Sequence, residues 1–154
     1  MVATIQEGGC ECGRSRYRLK ASPIAVNCCH CRDCQKLSGS AFALNALVEA
    51  EYVQLLSGSD AVESGAGGAT RCGTCGVLLW ATHPMFGDRI LFLRAGTLDE
   101  AEHMEPDAHF FVRSKHPWIV LPADSRVFET LPGDADPPLF GPEALVRIEA
   151  ARGG

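Results

Sequence analysis

The amino-acid sequence predicts a mainly β domain with few short helices. Several short segments alternate between polar and apolar residues, which is the two-residue period of a half-buried strand. Helical patterns are scarce, and seven of the eight cysteines fall into three tight clusters with the spacing of metal ligands. A chain of 154 residues suits one domain with a real core. We therefore expect a compact β-sheet domain whose ends are held in place by bound metal ions.

Seven segments have the composition of strands and are bounded by turn residues. The fourth and fifth of them flank Phe86-Gly87-Asp88-Arg89, so together they predict a β-hairpin. In chain order the predicted strands are 16–20, 42–48, 52–56, 77–82, 90–95, 110–112 and 118–121.

Two short helices are predicted. One covers residues 32–38 and stops before Gly39, and the other begins at Pro142, a residue favoured at a helix start, and runs to Ala151. The segment 132–142, which lies between the last predicted strand and the second helix, holds four prolines and two glycines, so we expect it to be irregular. The predicted organisation is a metal-binding domain over residues 1–131 and a Pro/Gly-rich tail, with a candidate short helix, over residues 132–154.

Charge and hydropathy exclude several classes of partner. The net charge is −5, and the 14 basic residues form no run, which disfavours binding to nucleic acid. The first residues lack the basic start and apolar run of a signal peptide, and no stretch approaches the roughly 18 apolar residues of a membrane span. We expect a cytoplasmic protein that binds no membrane, in which thiols stay reduced and clustered cysteines bind metal.

The first and third cysteine clusters predict one closed zinc site. Cys10 and Cys12 are separated by one residue, and Cys72 and Cys75 by two, so each pair can direct both sulfurs to one ion. Neighbouring cysteines form a disulfide only with strain. Two pairs supply four thiolates, which fill a tetrahedral shell, and such a site is typical of structural zinc.

The central cluster predicts a second zinc site with an open position. Cys29 and Cys31 share one face of an extended strand, and Cys34 returns at the start of the first helix. Three thiolates leave one tetrahedral position vacant, as in catalytic zinc sites. By the same alternation Cys28 and His30 point away, so we interpret Cys28 as a small core residue and His30 as a hydrogen-bonding bystander. If either were a ligand, the site would be closed.

The order and spacing of these motifs resemble the glutathione-dependent formaldehyde-activating enzyme family, which also includes the domain of centromere protein V. The resemblance rests on residues 9–13, 29–36 with Gly39, 71–76 and 109–118, and it extends from residue 8 to about residue 130. It implies a β-rich, Mss4-like fold with two zinc ions. The first and third clusters would hold the structural ion, and the central CxCxxC would hold the catalytic one.

The activity that the resemblance implies is that of a carbon–sulfur lyase. Glutathione and formaldehyde would condense to S-hydroxymethylglutathione, or the adduct would be cleaved in the reverse direction. The chemistry fits a three-thiolate zinc site, because the ion lowers the pKa of an incoming thiol and leaves an electron-rich sulfur that can attack an aldehyde. The alternative is a non-catalytic, zinc-stabilised scaffold that binds a protein partner.

Four further residues are candidates for the reaction. Lys36, Arg113 and Lys115 are cations that could meet the carboxylates of glutathione or the anionic metal centre. His109 could shuttle a proton near neutral pH, beside the catalytic set Cys29, Cys31 and Cys34.

Overall fold

The structure is a computed structural model, and it describes residues 5–59, 62–65, 68–133 and 139–153. These residues form ten strands and two α-helices, so the predicted mainly β class is confirmed. The strands are β1 Gln6–Gly9, β2 Arg16–Leu19, β3 Ala25–Cys29, β4 Ala43–Glu49, β5 Val53–Ser57, β6 Val62–Ser64, β7 Thr70–Cys72, β8 Leu78–His83, β9 Gly87–Arg94 and β10 Ala108–Phe110. The helices are α1 Arg32–Ser38 and α2 Pro142–Gly153.

The described strands lie in two sheets. The smaller sheet has the order β1-β2-β5, and the larger one has the order β10-β3-β4-β9-β8-β7-β6. Strand β10 pairs with β3 in parallel, whereas the other described pairings are antiparallel. The pairing of β10 with β3 matters for the site, because it brings residues about 80 positions apart in the chain to adjacent places.

One main core joins the two sheets. Tyr17 and Leu19 of the small sheet are fully buried in the same hydrophobic cluster as Leu79 and Leu93 of the large sheet. The ring of Tyr17 also meets Trp80 edge to face, with 5.8 Å between the ring centroids. Removing these apolar side chains from water is the main source of stability for such an arrangement.

The hairpin prediction is confirmed, because β8 and β9 pair in antiparallel fashion across the turn from His83 to Gly87. The strands predicted at 16–20, 42–48 and 52–56 are also present, as β2, β4 and β5. Strands β1, β6 and β7 were not predicted, and β3 was assumed only as an extended segment around Cys29, without bounds. They are three to five residues long, and β1 contains two glycines, so their local pattern is weak.

Two strand predictions near the C-terminal part were wrong in whole or in part. The strand predicted at 110–112 ends at Phe110, because Phe111 adopts a left-handed conformation (φ 55°) and a 3₁₀ helix, Val112–Ser114, follows. The segment 118–121 forms no strand. Its Trp118 and Val120 are 73% and 88% exposed, and Ile119 N donates to the His116 carbonyl at 3.0 Å within a local turn. An apolar segment without a neighbouring strand edge cannot form a ladder.

Both predicted helices are present. Helix α1 has the predicted bounds, and it ends at Gly39 in a left-handed conformation (φ 64°) that favours glycine. Helix α2 begins at Pro142 and buries Ile148 against Leu47 and Ile90. The irregular segment predicted at 132–142 includes residues 134–138, which lie outside the described residues. The division of the chain at residue 131 stays a prediction.

Neither of the two described α-helices is long and apolar enough to cross a bilayer.

Candidate metal centre and adjoining cavity

The first site is a four-cysteine cluster formed by Cys10, Cys12, Cys72 and Cys75. All four sulfurs lie within 4.8 Å of one another, with 3.5 Å between Cys10 and Cys12 and 3.8 Å between Cys12 and Cys72. Tetrahedral zinc with Zn–S bonds of about 2.3 Å separates its sulfurs by about 3.8 Å. The structure thus brings together the four residues predicted for the closed site, and their spacing fits a zinc ion.

Two glycine-containing turns present these sulfurs. The turn after Cys10 contains Gly13 at φ 76°, and the turn after Cys72 contains Gly76 at φ 78°; both are left-handed conformations that glycine adopts without strain. Gly76 N donates to the Cys72 carbonyl at 2.8 Å, and Ser15 N donates to the Cys10 sulfur at 3.2 Å. Backbone donors aimed at sulfur stabilise the thiolate form, which is the form that binds metal.

The second site is a three-cysteine cluster formed by Cys29, Cys31 and Cys34. Cys29 is the last residue of β3, Cys31 is the N-cap of α1, and Cys34 lies in the first turn of that helix. Their sulfurs lie within 4.8 Å of one another, and Cys34 N donates to the Cys31 sulfur at 3.3 Å. Hydrogen bonds with the Cys29 and Cys31 thiols, together with the Arg94 guanidinium, lower the pKa of Cys34 to about 6.

The three-cysteine cluster lines a cavity of about 400 Å³. The four-cysteine cluster does not line this cavity, and its Cys12 and Cys75 are exposed at the surface. Most of the other side chains around the cavity are apolar, and they come from strands β4, β8, β9 and β10 and from the segment before α2. They include Leu47, Ala81, Met85, Phe86, Phe92, Phe110, Phe111, Leu131, Leu139 and Phe140.

A polar row that sequence reasoning missed crosses the cavity wall on three adjacent strands. Asn27 of β3 lies opposite Asn45 of β4, which in turn lies opposite Arg94 of β9. Arg94 Nη1 donates to Asn45 Oδ1 at 2.5 Å, and Asn45 Nδ2 donates to Asn27 Oδ1 at 3.4 Å. All three residues line the cavity. The only sequence signal was that each polar residue interrupts an otherwise apolar strand.

A buried group behind the three-cysteine cluster was also missed. Cys28 is buried, as expected of a core residue, but it shares its environment with His30 and His109. His30 Nε2 lies 3.5 Å from the Cys28 sulfur and 3.1 Å from His109 Nδ1, and the three donor atoms are close enough to hold a metal ion. Strand alternation places Cys28 and His30 on one face, and the parallel register sets His109 opposite Cys28.

Burial favours the neutral form of both histidines of this group. It lowers the pKa of His30 to about 4, with the nearby His109 adding to the effect, and it also lowers the pKa of His109. Within the described residues His30 Nδ1 is buried and has no hydrogen-bond partner. His109 contacts His30, the chain neighbour of Cys29 and Cys31, and it is not among the side chains that line the cavity, so its predicted role as a proton shuttle stays a prediction.

The three predicted cations lie outside the cavity lining. Lys36 is exposed in the last turn of α1. The Arg113 guanidinium lies 6.0 Å from the centroid of the Phe111 ring, and Lys115 Nζ donates to the carbonyls of His116 at 3.3 Å and Ile119 at 2.5 Å. Their role in binding a substrate stays a prediction.

Comparison with known proteins places these sites in a family. The profile described as "Glutathione-dependent formaldehyde-activating enzyme" matches residues 5–114. No curated protein matches the chain significantly. A crystal structure of a Rhodobacter sphaeroides protein is similar at 15% identity and a TM-score of 0.49, and the match covers 65% of this chain and 96% of that one. Because the profile covers most of the 154 residues and includes all three cysteine clusters, the chain belongs to the glutathione-dependent formaldehyde-activating enzyme family.

Proposed function

We propose that the chain is a zinc-dependent carbon–sulfur lyase that condenses a thiol, such as glutathione, with an aldehyde, or that cleaves the resulting S-hydroxymethyl adduct. Family membership supports thiol–aldehyde chemistry of the formaldehyde-activating type in general. The observation that carries the finer proposal is that a cluster of three thiols lines a cavity of about 400 Å³, large enough for an organic reactant.

In this proposal the two cysteine clusters have different tasks. The four-cysteine cluster would hold a zinc ion with four thiolates and so stabilise the fold, whereas the three-cysteine cluster would hold a second ion with three. A zinc ion at the three-cysteine cluster would lower the pKa of a thiol and so make it a nucleophile near neutral pH. Both clusters need reduced thiols, which supports our proposal that the protein is cytoplasmic.

The chain's own residues supply charge balance and exclusion of water. Three thiolates and a divalent cation carry a net charge of −1, and the Arg94 guanidinium beside Cys34 offsets that charge. Most of the wall is apolar, so a bound reactant would displace water, and the lower dielectric would strengthen electrostatic interactions inside the cavity. In the condensation the thiol sulfur bonds to the carbonyl carbon, and the proton that the thiol loses ends on the carbonyl oxygen.

We propose a positioning role for His109 and a substrate-binding role for the predicted cations. His109 contacts His30, whose chain neighbours are Cys29 and Cys31, so it would hold those thiols in place. Helix α1 is joined to the 3₁₀ helix after β10 by a hydrogen bond from Gln35 Nε2 to the Ser114 carbonyl at 3.0 Å. Lys36, Arg113 and Lys115 flank that contact in the chain, where they could meet the carboxylates of glutathione outside the cavity.

The test measures how fast glutathione and S-hydroxymethylglutathione interconvert, by exchange NMR with formaldehyde present. Wild-type protein loaded with zinc should accelerate the exchange in proportion to its concentration. Cys31→Ser should reduce the acceleration at least tenfold while the circular dichroism spectrum is retained. If the zinc-loaded wild type accelerates no exchange, and calorimetry detects no thiol binding, the enzyme proposal is wrong and the scaffold alternative is favoured.

A further inference from the structure

The cavity beside the three-cysteine cluster is far larger than a one-carbon aldehyde requires. Its volume is about 400 Å³, whereas a water molecule, which is slightly smaller than formaldehyde, takes about 30 Å³ of liquid. A cavity of this size matches those that bind small organic molecules, which lie at roughly 300–1,000 Å³. If formaldehyde alone were the carbonyl substrate, most of the apolar wall would have no ligand to contact.

Aromatic rings form another part of the cavity wall. The Phe86 ring lies 5.9 Å from Phe92 and 6.4 Å from Phe140, measured between ring centroids, and the Phe92 ring lies 5.7 Å from His83. Across the β8–β9 pair, Phe92 lies opposite Ala81, a small side chain that also lines the cavity. A small residue beside a group of rings leaves space for a flat or branched apolar group, and aromatic pairs favour such contacts.

The one arginine or lysine side chain among the described cavity-lining residues, Arg94, is already engaged. Among the described lining residues, Arg94, Asp33 and His83 are the ionisable side chains other than cysteine. The Arg94 guanidinium is engaged by Asn45 and lies beside Cys34, so it offsets the anionic thiol cluster. A ligand body with two carboxylates would enter this space without a cation to pair with, and burying an unpaired charge is costly.

We propose that this cavity binds the uncharged, apolar body of the carbonyl reactant, so that the preferred substrate is an aryl or branched-alkyl aldehyde larger than formaldehyde. This inference rests on the proposed function, because it assigns the reacting carbonyl to the three-cysteine side of the cavity. The reaction balances as the addition of a thiol to an aldehyde: a C–S bond forms, the C=O π bond breaks, and the thiol proton ends on oxygen.

The binding experiment uses benzyl alcohol, which has the shape of an aryl aldehyde but cannot add a thiol. Benzyl alcohol should bind the zinc-loaded protein with a Kd of about 1 mM or lower, and at least tenfold more tightly than methanol. Nuclear Overhauser contacts should join its ring protons to Ala81 and Phe92. Absence of saturable binding, or contacts only elsewhere on the protein, would overturn the inference.

A matched pair of variants tests the location. Ala81→Leu adds three carbons inside the cavity and should weaken benzyl alcohol binding at least tenfold. Ala123→Leu makes the same change at an exposed turn and should leave the Kd within twofold of wild type. Both variants are compared with wild type by zinc content and thermal melt. Equal Kd values for the two variants would overturn the inference. If Ala81→Leu does not fold, the Overhauser contacts of benzyl alcohol with the wild-type protein decide the question.

A kinetic comparison separates this inference from the proposed function. With thiol held constant, the ratio of kcat/KM to the uncatalysed rate constant should be at least tenfold larger for benzaldehyde than for formaldehyde, as expected from burial of one phenyl group. Acceleration with formaldehyde and none with benzaldehyde would overturn the inference and leave the proposed function standing. Binding of benzyl alcohol in the cavity without acceleration for either aldehyde would overturn the proposed function and support an apolar ligand site.

Discussion

Replacing Cys72 by serine should destabilise the fold strongly, whereas replacing Cys31 by serine should not. Cys72 is buried at the end of β7, and its sulfur lies 3.8 Å from that of Cys12, which is 60 residues earlier in the chain. A zinc ion shared by these sulfurs links the small sheet to the large one. Cys31 lies at the start of α1, where a serine oxygen can accept the same hydrogen bond from Cys34 N.

The magnitude follows from the number of sulfurs in each cluster. A structural zinc contributes about 10–16 kcal/mol of apparent binding energy, or about 2.5–4 kcal/mol for each of four ligands. With an m-value of about 2 kcal/mol/M, the urea midpoint of Cys72→Ser should fall by about 1.3–2 M. For Cys31→Ser we expect a loss below about 1 kcal/mol, because the helix cap is retained and the lost ligand serves the open site.

The assay is urea unfolding followed by circular dichroism, with the zinc content of each variant measured by elemental analysis. Wild type should carry between one and two zinc ions per chain, with the four-cysteine cluster always filled. Cys28→Ala is the control, because it removes a buried thiol that belongs to neither cluster and should keep the zinc content of wild type. Equal destabilisation by Cys72→Ser and Cys31→Ser would refute the reasoning, as would loss of one zinc equivalent in Cys28→Ala.

Two further predictions concern stability outside the metal sites. Arg147→Met should lower the free energy of unfolding, measured in urea, by about 3 kcal/mol, because the buried Glu49 carboxylate loses the guanidinium that bonds it at 2.6 and 2.7 Å. The control Arg152→Met, at an exposed position of the same helix, should cost under about 0.5 kcal/mol. Equal losses in the two variants would contradict the ion-pair explanation. Burial raises the pKa of Tyr17 to about 12. Because a tyrosine in the unfolded state has a pKa of about 10, the unfolded state loses the proton first as the pH rises. The free energy of unfolding of wild type should therefore fall by about 3 kcal/mol between about pH 10 and 12. Tyr17→Phe should remove that part of the alkaline dependence, and an unchanged slope in pH-dependent unfolding would show that the phenol is not its source.

The helices and the central hairpin could be predicted because their signals are local. Helix α1 begins after a cysteine cap and ends at Gly39, and both limits are set by neighbouring residues. The β8–β9 hairpin needs only a short turn between two alternating segments. The segment 118–121 was predicted wrongly for the opposite reason, since its apolar residues are strand-like in composition but pair with none of the described strands. Whether a short apolar segment joins a sheet depends on distant residues.

The membership of the two cysteine clusters was determined by the sequence itself. Ligands one or two residues apart can meet one ion in any fold, so spacing alone groups the pairs Cys10–Cys12 and Cys72–Cys75 and the run from Cys29 to Cys34. Strand alternation also separated Cys28 from Cys29, and the structure places them in different groups. Local covalent geometry was sufficient to group these neighbours, and the count of four thiolates joined the first pair to the last.

Only the tertiary structure decided what surrounds the three-cysteine cluster. Asn27, Asn45 and Arg94 form one row because β3, β4 and β9 pair in a particular register, and a shift of one residue would turn each side chain to the other face. His109 meets His30 only because β10 pairs in parallel with β3, across 79 residues of chain. The register of these strands is set by the packing of the whole core and by no local pattern. The cavity, the Arg94 side chain in its wall and its aromatic residues therefore follow from the fold.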